Sequence, residues 1–278
     1  MRGMICLTFD FDAVSLWLAR GITAPAPISR GEYAAVAVPR ILDFLAARDI
    51  RSTWFIPGHT IETYPDVCRE VVAAGHEIGL HGYAHELQVQ DDETERRIFA
   101  RSRKVVAELS GSAPQGYRAP GGSMGASTLQ MLIDGGIQYD SSLKGEDYRP
   151  YWCRVGDEIP TNGPMTFGQR SGLVEMPTAP NRDDFWHFEF SREAQVQGLQ
   201  NANAVLENWL GDVRYMTRDF EDAVITFLLH PEVIGRGHRL LMLEELTDTL
   251  ADQGLAFATL GDVAERFREG HRYGEPTQ

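Results

Sequence analysis

The chain has 278 residues, 43% hydrophobic and 24% charged, a composition that excludes a disordered, fibrous or membrane protein and fits one globular domain spanning residues 1–278. Lys plus Arg is 26 and Asp plus Glu is 40, a formal net charge of −14. That balance repels phosphate backbones and anionic lipid, so neither nucleic acid nor a membrane is expected as a partner. The cysteines Cys6, Cys68 and Cys153 show no Cys-x-x-Cys spacing and read as reduced thiols. Asp10 breaks the first apolar stretch before a signal-peptide core is complete, so a cytoplasmic setting is expected.

In chain order, the apolar run 5–9 reads as a strand that ends in Asp10 and Asp12. Ala34, Val38, Ile41, Leu42 and Leu45 fall on one helical face. The runs 52–56 and 77–80 read as the next strands, the latter leading into His81 and His85. A helix follows the acidic start Asp91-Asp92, with Ile98, Ser102, Val105 and Leu109 on one side. Strands at 116–118, 137–140 and 173–176 come next, and the first two close on Arg118 and Asp140. Leu199, Ala202, Leu206 and Trp209 predict a helix with Ser191 as its N-cap. The run 224–229 delivers His230, Leu243, Leu246 and Leu250 predict a helix stopped by Gly254, and 255–259 completes eight strands. Alternating strands and helices imply an α/β fold with a parallel sheet, either a closed (β/α) barrel or a doubly wound open sheet.

In both architectures reactive side chains gather at the carboxyl ends of the strands, and Asp10, Asp12, His81, Arg118, Asp140 and His230 all fall there. Two carboxylates two residues apart in an extended chain project to one side, and they resist joint ionisation unless a cation lies between them. His81 and His85, four apart, share a face if Gly82 opens a helical turn; with one carboxylate they make a catalytic-metal set. Arg118 leaves a strand into Pro120-Gly121-Gly122, where its guanidinium can clamp a carboxylate and backbone N–H groups become available. His230 at the rim suits proton transfer. His59, His76, His187, His238 and His271 lack such company and read as non-ligands.

The segments Thr8-Phe9-Asp10-Phe11-Asp12, His81-Gly82-Tyr83-Ala84-His85-Glu86, Arg118-Ala119-Pro120-Gly121 and Leu228-Leu229-His230-Pro231 resemble, in order and spacing, the motifs of the polysaccharide deacetylase family, the NodB-type or family 4 carbohydrate esterases. Residues 29–33 and 230–239 are similar to the branch that holds peptidoglycan deacetylase relatives, cyclic imide hydrolases and PuuE-type allantoinases. The resemblance implies a distorted (β/α)7 barrel, so one of the eight strands is accessory. It implies Asp12, His81 and His85 as metal ligands, Asp10 as catalytic base, Arg118 as its orienting partner and His230 as acid. It also implies a homo-oligomer, dimer or tetramer, for which Trp152, Trp186 and Phe188 are the expected apolar contacts.

Two departures stand out. Phe11 separates the aspartates, which are adjacent in most deacetylases, and Leu143 stands where the family places an acid for the histidine. Asp140, Glu146 and Asp147 are therefore the candidate partners of His230. The expected function is metal-assisted hydrolysis of a non-peptide C–N bond, with Zn²⁺ as the cofactor and a backbone N–H near Gly121 sharing the oxyanion. The expected substrate is a small amide, cyclic imide or ureide, or an N-acetylated sugar, enclosed by residues 17–31, 144–152 and the aromatic cluster around Trp186. Arg236, between two glycines, is expected either to bind substrate or to lock its loop against Glu32 and its neighbours. The competing functions are a metal-independent allantoinase-like hydrolase, against which the presence of both His81 and His85 argues, and a non-catalytic carbohydrate- or acid-binding protein, which would need no general base beside a metal and so is opposed by intact Asp10, Asp12, His81, His85 and His230.

Overall fold

The computed structural model describes residues 3–88, 90–192 and 194–270; His271 lies outside them. The strands are β1 (Met4–Asp10), β2 (Thr53–Ile56), β3 (Glu77–Leu80), β4 (Gly116–Tyr117), β5 (Tyr139–Asp140), β6 (Tyr151–Val155), β7 (Gln169–Glu175), β8 (Phe190–Ser191), β9 (Val196–Gln197), β10 (Val224–Leu229) and β11 (Ala256–Phe257). The main sheet runs β10-β1-β2-β3-β4-β5-β7-β6. Its first seven members are parallel neighbours, and β6 pairs antiparallel with β7. This is the distorted (β/α)7 arrangement, a curled half-barrel. The accessory strand is β11, which pairs only with the start of β1.

Among the described residues the sheet does not close through a strand ladder. Its two flanks are bridged instead by the segment ahead of helix Asp184–Phe188, where Asp183 pairs with Leu228 of β10 in a single parallel bridge. A closed barrel, expected from strand count, gives way here because residues 177–183 run irregularly into the short 3₁₀ helix Pro180–Arg182 and a single bridge at Asp183 rather than forming an eighth stave.

Alternation along β1 decides what faces inward. Ile5, Leu7 and Phe9 join the large core beneath the surrounding helices, while Met4 and Cys6 pack inside with Phe55, Tyr139 and Val174. With a period of two, Thr8 and Asp10 continue the inner row toward the carboxyl end. Helix Leu260–Arg268 supplies Leu260, Val263 and Ala264 to that inner cluster and so covers the opposite end. All three cysteines are free and buried.

The helices form where their apolar faces predict. Helix Pro25–Ala46 buries Ala34, Val38, Ile41 and Leu45 and starts on a proline, whose missing N–H costs nothing in a first turn. Helix Asp92–Ser110 is capped by Asp91, which accepts from Thr94 N, and ends at left-handed Gly111. Ser191 is not the cap of the next long helix. It lies in β8, and Asn201 caps helix Ala202–Asp219 by accepting from the Asn203 and Ala204 N–H groups. Leu199 is 66% exposed with positive φ, outside the helix it seemed to open. The β6–β7 and β8–β9 hairpins were missing from the sequence reading, because β7 begins with the solvated residues 169–172 and β8 and β9 are two residues each. No helix among the described residues is long and apolar enough to cross a membrane.

Candidate active site

The carboxyl ends of the parallel strands surround a cleft of about 360 Å³ whose walls include Asp10, Asp12, His85, Arg118 and His230. Asp12 sits just past β1, fully buried, and its two oxygens face His81 Nε2 at 3.3 Å and His85 Nε2 at 3.2 Å. The ligand atoms of Asp12, His81 and His85 lie within 4.8 Å of one another. Neither Asp12 oxygen, nor His81 Nε2, nor His85 Nδ1 has a hydrogen-bond partner. Burial alone would raise the Asp12 pKa, but the charge interaction with His85 and the hydrogen bonds from both rings hold it well below the carboxylate range. A buried carboxylate and two imidazoles converging on one point, with both Asp12 oxygens and His81 Nε2 left unpaired there, are a donor set that fits a divalent cation.

His81 is fixed from behind, where its Nδ1 meets the Arg118 carbonyl oxygen at 2.8 Å. That contact puts the Nδ1 proton on the carbonyl side and leaves Nε2 as the inward lone pair. Residues 82–84 form a turn, not the helical turn that the four-residue spacing suggested; Gly82 and His85 both adopt left-handed φ, +65° and +56°. The His81 and His85 rings meet edge to face at 5.0 Å between centroids. Glu86 holds this turn by accepting from the Tyr83 and Ala84 N–H groups. A Cβ on Gly82 would come within 2.5 Å of Glu86 Oε2, so the turn needs glycine both for its φ and for the close approach.

Asp10 lies across from His81, with Oδ2 3.6 Å from His81 Nε2. Arg118 donates from Nη1 to Asp10 Oδ1 at 2.7 Å and to Thr8 Oγ1 at 2.9 Å, and its other nitrogens reach the Ser141 carbonyl and hydroxyl oxygens. Its guanidinium also stacks over Phe55. A buried ion pair is stabilising only when its remaining donors are used, and here Arg118 is held on three sides.

His230 emerges from β10 with Nε2 3.8 Å from Asp12 Oδ2. Its partner is Asp184, which none of the sequence candidates anticipated. Asp184 Oδ1 is 2.7 Å from His230 Nδ1, and both its oxygens accept from the His230 backbone N–H at 3.1 Å. Burial would lower the His230 pKa, but the Asp184 bond and charge, then Asp183 and Asp12, raise it well above 6.5. Asp183 itself is pushed up to about 7, first by burial, against the pull of His230. Asp140 instead accepts from Ser142 Oγ at 2.7 Å, whose oxygen in turn accepts from Ala119 N. Asp147 receives Arg182 on its carbonyl and does not line the cleft, and Glu146 accepts from Asp147 N. The missed signal was available: Asp183-Asp184 directly precedes the aromatic cluster already placed over the rim.

The remaining predicted residues divide. Gly121 lines the cleft with left-handed φ; the neighbouring Gly122 and Ser123 N–H groups are spent inside the turn, whereas that of Gly121 has no hydrogen-bond partner among the described residues. Trp186, 57% exposed, forms part of the rim. Phe188 is fully buried and Trp152 packs on Phe267, so neither is the exposed aromatic that the sequence suggested. Arg236 stays outside the cleft and stacks its guanidinium 3.5 Å from the Tyr33 ring centroid. It does reach residues 29–33, through an aromatic face and not through Glu32.

The family model for polysaccharide deacetylase matches residues 2–139. Over 280 residues the chain is 31% identical to a peptidoglycan deacetylase of Helicobacter pylori, covering 95% of this chain and 96% of that one. The chain belongs to the polysaccharide deacetylase family. Its relatives are hydrolases of carbon–nitrogen bonds other than peptide bonds, and so is this enzyme. A crystal structure of a polysaccharide deacetylase homologue from Mycobacterium smegmatis superposes with a TM-score of 0.83 at 30% identity, over 100% of this chain and 95% of that one. The PuuE allantoinase structure superposes at 0.78 with 24% identity, over 98% and 92%, which shows a shared fold.

Proposed function

We propose that this polysaccharide deacetylase family member hydrolyses the C–N bond of an N-acetylated sugar or a small amide or imide, at a divalent-metal centre formed by Asp12, His81 and His85. The observation that carries the reading is the convergence of Asp12, His81 and His85, with both Asp12 oxygens and His81 Nε2 unpaired, beside a cleft that also holds two supported acid–base groups, Asp10 on Arg118 and His230 on Asp184. Zn²⁺ suits two imidazoles and a carboxylate; when bound it polarises a carbonyl and makes water more acidic, toward a pKa of about 7.

The chain's own residues do the rest. Asp10, held by Arg118, takes the proton of the attacking water at its free Oδ2. His230 gives a proton from Nε2 to the departing nitrogen, while Asp184 keeps Nδ1 protonated and the ring oriented. The Gly121 N–H, uncommitted in the turn, donates to the developing oxyanion. Trp186 offers a flat apolar surface to a sugar ring or an imide. The cleft volume stands at the small end of ligand pockets, which favours a substrate that inserts one ring-sized group.

The test is elemental analysis of the purified protein, followed by assays of acetate and ammonia release over N-acetylglucosamine oligomers and small cyclic imides. Zinc at one equivalent with turnover of either class supports the reading. A protein that neither holds nor accepts a divalent ion defeats the metal centre, and one that is loaded but inert on every amide tested defeats the hydrolytic assignment.

A further inference from the structure

Behind the catalytic cleft, sharing the walls Leu16 and Phe185 with it, lies a second chamber of about 220 Å³. The cleft's chemistry uses none of its polar residues, Arg30, Glu189, Glu232, Arg236 and Arg239. Glu232, in the short helix that follows His230, is 4% exposed, and both its carboxyl oxygens are buried without a partner. A carboxyl group enclosed in that way is costly unless something bonds to it.

The charges around it are unequal. Arg30 is paired with Glu189. Arg239 donates from Nη1 and Nη2 to the carbonyls of Val233 and Phe188, while its Nε is buried without a partner. Arg236 stacks on the Tyr33 ring, and no side-chain hydrogen bond or ion pair of its guanidinium is found among the described residues. Against these two guanidinium groups stands Glu232, whose burial, with the nearby charge of Asp12 added, pushes its pKa well above the carboxylate range. The chamber therefore carries an excess of positive charge and one carboxylic O–H. An anion with two oxygens meets both: one oxygen accepts from the Arg236 fork, the other from Glu232. Trp17, Leu16 and Phe185 supply an apolar wall suited to a short carbon tail.

We infer that this chamber is a binding site for a small monocarboxylate, acetate first, held between Arg236 and Glu232. Acetate is the acid half of an N-acetyl hydrolysis, so the link to turnover rests on the function proposed above; the binding itself does not. The site adjoins the place where that acid is formed, and Arg236 contributes to it while its stacking on Tyr33 keeps the loop 235–237 in place.

The experiment titrates sodium acetate into the full-length, metal-stripped protein by calorimetry, with isosteric acetamide as the neutral control, and repeats it on Arg236→Gln and Glu232→Gln. Removing the metal excludes acetate coordination at Asp12, His81 and His85. The expected results are saturable binding of acetate and none of acetamide, a loss of about ten-fold or more in affinity for Arg236→Gln, and near-wild-type affinity for Glu232→Gln, whose amide still donates. If Arg236→Gln melts at a much lower temperature, Arg236→Lys replaces it, and it too should weaken acetate because the fork is gone. Absent binding, equal binding of acetamide, or undiminished affinity in the arginine variants overturns the inference. Loss in Glu232→Gln with retention in Arg236→Gln also overturns it, since that pattern belongs to a cation. Acetate release by the metal-loaded enzyme is measured in parallel: binding without turnover leaves the chamber standing and removes the proposed reaction, and turnover without binding does the reverse.

Discussion

Asp184→Asn isolates the contribution of the carboxylate hydrogen-bonded to the His230 ring. The substitution is nearly isosteric, so packing against Phe185 and β10 is kept, but three interactions change together. In the native protein both Asp184 oxygens accept from the His230 backbone N–H, and Oδ1 also accepts from Nδ1–H. An amide has a single acceptor oxygen. If that oxygen turns to Nδ1, the amide NH₂ is left facing the backbone N–H; if it turns the other way, NH₂ faces Nδ1 and forces that nitrogen to be an acceptor. The first arrangement leaves a buried donor opposed by a donor, a cost of about 1–3 kcal/mol in stability, and the second avoids that only by giving up the Nδ1 proton that the acid's tautomer needs. The catalytic loss is larger, because the imidazolium that must donate to the leaving nitrogen is no longer stabilised: about 10²–10⁴-fold in kcat is expected, the span attributable to one general acid. The pH profile carries the sign. Asp184 raises the His230 pKa, so its removal lets the ring lose its proton at lower pH, and the alkaline limb of kcat/KM moves toward acid. The assay is acetate release across a pH series, with a thermal melt and metal content as controls. Activity within about three-fold of wild type, or an alkaline limb that stays in place with the metal retained, refutes the role given to the pair.

Other substitutions follow from the same geometry. His81→Ala and His85→Ala should each lose the divalent ion in elemental analysis while far-ultraviolet dichroism stays native, whereas Asp10→Asn should keep the ion and lose activity by about 10²-fold or more. Gly82→Ala forces a left-handed φ on a side chain that also meets Glu86, so a destabilisation of about 1–2 kcal/mol is expected, with weaker metal retention in the same samples. Glu175, buried beside Asp140, has its pKa raised well above 4.5, first by burial and then by that neighbouring charge. A carboxyl harder to ionise in the folded state than in the unfolded one stabilises fully below the unfolded value of 4.5, and this contribution fades as pH rises through the higher folded value. Glu175→Gln, which can still accept from the Ser142 and Leu143 N–H groups, should flatten that alkaline decline in urea melts, and an unchanged slope would falsify the protonated pair.

The parts of the molecule legible from sequence are those where local pattern and tertiary role coincide. β1, β2, β3 and β10 are short apolar runs buried along their whole length or nearly so, and three of them lead straight to a polar side chain: β1 ends in Asp10, and His81 and His230 follow β3 and β10, so these residues could be placed at a rim because a parallel strand can only end there. The hairpin β6–β7 failed for the opposite reason. Its outer half is solvated, its inner half is core, and no single period describes a strand that changes environment midway. Ser191 failed as a helix cap because Ser and Asn are both good acceptors for a first turn, and the choice between them is made by the β8–β9 hairpin, a contact that propensity does not contain.

The partner of His230 lies on a different loop from the one that motif order points to. The carboxylates near β5 are adjacent in motif order, yet Asp140 turns to Ser142 and Glu175 and serves to hold the loop that receives Arg118. Asp184 reaches His230 because the sheet stays open: residues 177–183 cross the gap between β7 and β10, Asp183 pairs with Leu228, and the first turn of helix Asp184–Phe188 thereby comes to lie against the end of β10. A fully closed strand ladder would have occupied that gap. The irregularity of the barrel and the placement of the acid's supporting carboxylate are thus one feature, and a variant that loses the 183–228 bridge should misplace His230 even with every catalytic side chain intact.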